Sequence, residues 1–274
     1  MPHFTTSDGL NLYYTDSGDG LPVLCLAGLT RNTSDFEYVT PHLAGNRVIM
    51  MDYRGRGQSD YDDNWQNYTP PVECRDVLEL MAHLSLDKVA ILGTSRGGMN
   101  GMALAAMARD RLLGVALNDV GPVVDPRGLE FIMLYLGRNP ASRTFEDAAA
   151  ALGAVFSDFD DVPAERWLRM AQANYTKTDA GLQIMYDPRL RDAIEAVIAG
   201  PDLDLWPFFD AMAGLPLACI RGANSNLFTP DTLAEMQRRR PDMITAVVPG
   251  RGHMPFLDEP EAVAALHSGL EQMK

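Results

Sequence analysis

Six stretches of this chain are short, apolar and without alternation: 22–27 (PVLCLA), 47–52 (RVIMMD), 88–93 (KVAILG), 113–118, 215–221 and 244–248. A strand with one wet face alternates apolar and polar side chains. Runs like these instead suit strands buried on both faces, the condition of a parallel sheet covered by helices. Helical patterns over 70–85, 96–109, 230–239 and 258–272 lie between them. The alternation predicts an α/β chain: a mostly parallel open sheet with helices on both faces. The opening differs. Residues 3–6 and 11–15, around the turn pair Asp8-Gly9, read as a meander.

The strand–helix alternation lapses between about 125 and 206, where helices are expected over 127–137, 144–155, 163–174 and 188–199. Consecutive helices between two sheet strands read as a cap inserted above the sheet. The expected division is a core of 1–122 and 207–274 with a helical cap of 123–206. A chain of 274 residues buries enough surface for such a domain. No internal repeat or low-complexity tract interrupts it.

Composition excludes some functions. A net charge of −14 argues against a nucleic-acid partner, which needs a basic face. No apolar run approaches the roughly 18 residues of a membrane span, and the first twenty residues lack a basic-then-apolar signal pattern. Cys25, Cys74 and Cys219 have no metal-binding spacing and read as small buried side chains in a reducing compartment. The expectation is a cytoplasmic protein whose partner is a small-molecule substrate, with no membrane and no nucleic acid.

The chemistry concentrates at Gly93-Thr94-Ser95-Arg96-Gly97-Gly98, between an apolar strand and a helical segment. A serine raised above a sheet on a sharp strand-to-helix turn needs small residues two positions before and after it, because side chains there collide across the turn. Gly93 and Gly97 meet that demand. The helix that follows aims its N-terminal amides at the place where negative charge would develop.

On these residues the chain resembles the α/β-hydrolase superfamily, in the serine-nucleophile branch with a helical cap. Two further segments carry the likeness. Met51-Asp52-Tyr53-Arg54-Gly55-Arg56-Gly57-Gln58-Ser59-Asp60 is similar to the segment after an early strand, and Arg251-Gly252-His253-Met254-Pro255-Phe256 to the catalytic-histidine loop. The resemblance implies Ser95 as nucleophile and His253 as its base. Imidazole suits that task near neutral pH. His3, His42, His83 and His267 lie at the terminus, in a turn or on helices and read as surface or structural.

The third member departs from the family. Its usual slot follows the penultimate strand, and here holds Ser225 or Asn226, neither of which ionises. An acid is needed to hold the histidine tautomer and stabilise the imidazolium. Asp119, after the strand over 113–118, is the candidate, with Asn226 as a neutral alternative and a turn-capping role for Asp119 equally open. Asp231 and Asp258 read as helix starts. The resemblance implies an oxyanion hole from the backbone amides of Leu29 and Arg96. The Arg96 side chain is expected to pair with a structural acid, or alternatively with a substrate carboxylate. Of the cap's large residues, among them Phe131, Met133, Leu134, Tyr135, Phe156, Trp167, Met170, Tyr175, Met185 and Tyr186, most read as packing between cap and sheet and a minority as pocket wall.

The expected activity is hydrolysis of an ester, thioester or lactone of a small, largely apolar substrate through an acyl-enzyme, without metal or cofactor. The alternatives are a carbon–carbon bond hydrolase of aromatic ring-cleavage products, or a non-catalytic binding protein on the same fold.

Overall fold

The computed structural model describes residues 2–274; of the expected core segment 1–122, only Met1 lies outside it. The chain runs β1 (His3–Thr5), β2 (Asn11–Ser17), β3 (Leu21–Leu26), β4 (Asn46–Met51), α1 (Pro70–His83), β5 (Val89–Thr94), α2 (Arg96–Ala108) and β6 (Leu112–Asn118). It continues through α3 (Pro126–Tyr135), α4 (Phe145–Val155), α5 (Ala164–Asn174), β7 (Tyr175–Thr178), β8 (Gly181–Ile184), α6 (Leu190–Ala199) and α7 (Trp206–Asp210). It closes with β9 (Leu217–Gly222), α8 (Pro230–Arg239), β10 (Ile244–Val248) and α9 (Pro260–Gln272).

Eight strands form one sheet in the order β1-β2-β4-β3-β5-β6-β9-β10. The first two pairings are antiparallel and the rest parallel. Each of the six apolar runs is a strand of this sheet, and double burial explains their lack of alternation. In β5, Val89 and Ile91 enter one core with α1, α2 and α8. Ala90 and Leu92 enter the other, with α9 and the turns carrying Phe36, Val39 and Leu43. Successive side chains still point to opposite faces, but both faces are apolar. The three cysteines are free and buried in these layers.

Between β6 and β9 the chain contributes no strand to the main sheet. The helical expectation there needs one correction, because β7 and β8 form an antiparallel hairpin. Its sequence, YTKT–DA–GLQI, is rich in β-branched and aromatic residues, and Gly181 at φ +129° occupies a backbone region that side-chain-bearing residues avoid. The short helix α7 likewise has no counterpart in the sequence expectation. The segment has its own small core, in which Trp167, Ala148, Ala149, Ala171 and Leu182 pack together from α4, α5 and β8. Among the described residues no helix is long and apolar enough to cross a membrane.

Candidate active site

Strand β5 delivers Ser95 into a backbone conformation of φ 50°, ψ −112°, in the region that favours glycine. The flanking glycines make this bend feasible. A Cβ on Gly93 would press on the Gly97 carbonyl, and one on Gly97 would strike the carbonyl of Leu26 in β3. The Ser95 amide donates to the Asn118 carbonyl at 2.9 Å, which fastens the bend to the end of β6. Such local strain persists only where the surroundings over-determine it.

From the far end of the chain, the loop after β10 brings His253 to the same strand ends. Its Nε2 lies 3.0 Å from Ser95 Oγ and its Nδ1 lies 2.7 Å from Asp119 Oδ2. With the Nδ1 proton donated to the carboxylate, Nε2 is left to accept the serine hydroxyl. Asp119 is fully buried, with φ 54°. Its amide donates to the Ile220 carbonyl at 2.8 Å. Oδ1 accepts the Gly222 amide at 2.7 Å, and Oδ2 also accepts the Ser225 hydroxyl at 2.6 Å. Ser225 thus occupies the slot where an acid was sought and points its hydroxyl at the carboxylate on the neighbouring strand. The structure brings Asp119, and not Asn226, to His253 Nδ1. Asn226 lines a small adjacent recess instead.

The backbone around Ser95 offers two further donors. Arg96 is the first residue of α2, where helix amides have no intrahelical acceptor. The Gly28 carbonyl accepts the Arg31 amide at 3.1 Å, closing a turn in which the Leu29 amide takes no part. Both halves are held from below by one carboxylate that the sequence reading missed. Glu73 on α1 is fully buried. Its Oε2 accepts from Arg96 Nε at 2.7 Å and its Oε1 from Arg56 Nη2 at 2.8 Å. Arg56 Nε in turn donates to the Leu29 carbonyl at 3.0 Å. Burial works against the Glu73 charge, but Arg96 and Arg56 outweigh it and lower its pKa from 4.5 to about 2. The Arg96 side chain therefore pairs with a structural acid and does not line the cavity. A signal was available: Glu73 shares an apolar stripe with Val77, Leu80 and Met81 on α1, a costly place for an unpaired carboxylate.

The segment 51–60 serves the same scaffold. Asp52 accepts the amides of Thr33 and Gln58, and the fully buried Arg54 is bidentate to Asp76. From the segment between β6 and β9, the loop at 158–160 is bolted to the histidine loop. The Asp160 amide donates to the Gly250 carbonyl at 2.9 Å, and Arg251 donates to the Asp160 carbonyl at 2.8 Å. Asp158, in the same loop, has its carboxyl pushed up by burial.

Ser95 and His253 open onto a cavity of about 440 Å³ lined by the loops at the strand ends and by the segment between β6 and β9. Leu134, Tyr135, Phe156, Trp167, Met170, Tyr175 and Tyr186 line it, whereas Phe131, Met133 and Met185 do not. This reverses the expectation for the cap residues: most of them face the cavity. Pairwise ring contacts, such as Phe156 stacked on Trp167 at 6.0 Å, let the same side chains serve as wall and packing.

A strand-borne serine on a strained turn and an imidazole now share one cavity floor, with a buried carboxylate behind the imidazole. A sequence family described as alpha/beta hydrolase fold matches residues 22–260. The chain belongs to the α/β-hydrolase family. It is 35% identical over 251 residues to a 3-hydroxybutyrate-oligomer hydrolase of Cupriavidus necator, covering 88% of this chain and 85% of that one. It is 28% identical over 246 residues to a 2-(acetamidomethylene)succinate hydrolase of Mesorhizobium japonicum, covering 89% and 85%. A crystal structure of an α/β hydrolase from Novosphingobium aromaticivorans superposes with a TM-score of 0.92 at 40% identity, over 99% of this chain and 97% of that chain. This α/β hydrolase is accordingly an enzyme of the hydrolase class.

Proposed function

We propose that this hydrolase cleaves an ester, thioester or lactone of a small, largely apolar substrate through an acyl-enzyme on Ser95. The observation that carries the reading is the unbroken relay Ser95–His253–Asp119 at the floor of the cavity. His253 Nε2 takes the hydroxyl proton as Ser95 attacks the carbonyl carbon, and Asp119 stabilises the imidazolium. The tetrahedral oxyanion rests on the amides of Leu29 and Arg96, each such donor being worth about 3 kcal/mol in the transition state. Collapse expels the alcohol, protonated by His253. Water, deprotonated by the same imidazole, then releases the acid and restores Ser95.

The cavity volume supports a small-molecule substrate, since such sites span roughly 300–1,000 Å³. The relative from Cupriavidus necator is named for 3-hydroxybutyrate oligomers, and oligomers of a hydroxy acid are joined by ester bonds, which favours the ester among the three. The test is incubation with a fluorophosphonate and a short-chain aryl ester. Stoichiometric labelling at Ser95 together with ester turnover is expected. Absence of both contradicts the reading.

A further inference from the structure

The chain as a whole repels anions, yet the cavity wall has the opposite sign. Four arginines, Arg31, Arg138, Arg166 and Arg169, line it against two carboxylates, Asp35 and Glu37. Three of the four pair with carboxylates. Arg166 is bidentate to Asp258 and stacked 4.0 Å over the Tyr38 ring. Arg169, with half of its side chain exposed, donates to Glu37 through Nε at 2.7 Å. Arg31 engages Asp35 through Nε and Nη2, and among the described residues its Nη1 has no partner. The Arg138 side chain, exposed on the cavity wall, has no partner among the described residues.

Arg31 is also well placed for recognition close to the reacting carbonyl. It closes the turn that presents the Leu29 amide, and its Cγ lies 3.3 Å from where a Gly28 Cβ would be. Its side chain is only 19% exposed, so the guanidinium is held in the wall. The hydroxyls of Tyr135 and Tyr175 lie within electrostatic reach of it and line the same cavity. A pre-fixed guanidinium edge beside phenolic donors matches a carboxylate, whose oxygens accept charge-assisted hydrogen bonds. Repulsion from the remote surface acidity is screened over about 8 Å in physiological salt, so at contact the local arginines decide.

We propose that the substrate carries a free carboxylate a few bonds from the scissile carbonyl, anchored by Arg31 with Arg138 supplying further positive potential. The proposal rests on the ester-hydrolase reading above and narrows its substrate to anionic esters with an apolar chain.

The experiment compares kcat/KM for matched anionic and neutral esters. One pair, 4-nitrophenyl hydrogen glutarate against 4-nitrophenyl hexanoate, places the charge on the acyl side. A second, 3-acetoxybutanoate against its methyl ester, places it on the alcohol side. In at least one pair the anion is favoured by about ten-fold or more. Arg31→Gln lowers that anionic-to-neutral ratio by about ten-fold, Arg31→Lys lowers it less because it keeps charge without the planar fork, and Arg138→Gln lowers it several-fold. The ratio is insensitive to general loss of folded enzyme, and exposed Arg138 serves where an Arg31 variant folds poorly. Neutral esters turned over at least as well as both anions, or ratios unmoved by Arg31→Gln and Arg138→Gln, overturn the proposal while leaving the ester hydrolase intact. Absence of any turnover together with an unlabelled Ser95 overturns both.

Discussion

The floor and the roof of the cavity are built on different principles. Beneath Ser95, both oxygens of Glu73 are taken by arginines and both oxygens of Asp119 by amide, hydroxyl and imidazole donors. The roof packs around a small core of its own and carries exposed apolar residues, with Leu134 68% and Val155 51% exposed. Its arginines are only partly satisfied. Groups that must meet within tenths of an ångström are fixed by the sheet and its buried ion pairs, whereas most of the apolar cavity wall comes from a separate layer between β6 and β9. Preorganised donors in a low-dielectric floor need no reorganisation during reaction.

That contrast can be broken at several points. The largest effect is expected at the floor's centre: Ser95→Ala lowers aryl-ester turnover by about 10⁶-fold while leaving the melting temperature near that of the parent. Next is Glu73→Gln, which acts one layer down. It loosens both proposed oxyanion donors, so kcat falls by about 10²-fold or more with KM little changed. Removing one partner of a buried ion pair also costs about 3–5 kcal/mol of stability, read by urea unfolding.

Glu73 also sets a pH signature. Its carboxyl is lowered from 4.5 to about 2 in the folded protein. The folded state therefore binds the proton less readily than the unfolded chain. The resulting stabilisation is complete above 4.5 and lost as pH falls toward 2. In Glu73→Gln this part of the acid limb disappears; a limb of unchanged steepness between those values contradicts the assignment.

Smaller effects belong to the roof. Trp167→Ala removes a side chain stacked on Phe156 and costs about 3–5 kcal/mol locally. Hydrogen exchange is expected to rise in α4 and α5 while β3, β5 and β6 stay protected, and KM rises more than kcat falls. Leu134→Ser, at an exposed position, changes stability by no more than about 0.5 kcal/mol. Should Trp167→Ala depress kcat as deeply as Glu73→Gln, floor and roof are not separable.

The sequence conveyed these two regions unequally, for physical reasons. The strands were legible because burial on both faces leaves an uninterrupted apolar run. Ser95 was legible because a strained turn demands glycines at fixed spacing. Asp119 was harder. Asp119 follows β6 and the expected slot follows β9, and these are neighbouring parallel strands with Asn118 opposite Ile220. A carboxylate on either strand end therefore reaches the same imidazole, so sequence position alone left Asp119 and Asn226 open. Ser225 reads in the sequence as the loss of an acid, whereas its hydroxyl donates to Asp119 Oδ2. Glu73 went unnoticed because its two arginines lie 17 and 23 residues away, where no local pattern links them. The hairpin β7–β8 was missed because four-residue strands carry too little periodicity to interrupt a helical reading.

The central claim is that the carboxylate serving His253 comes from the end of β6. The most direct test is the second-order rate at which a fluorophosphonate modifies Ser95 in Asp119→Asn and in Asn226→Ala. Asp119→Asn is expected to slow the reaction by about 10³–10⁴-fold, with Asn226→Ala staying within a few-fold of the parent. The reverse order, or an Asp119→Asn rate near the parent's, contradicts the account.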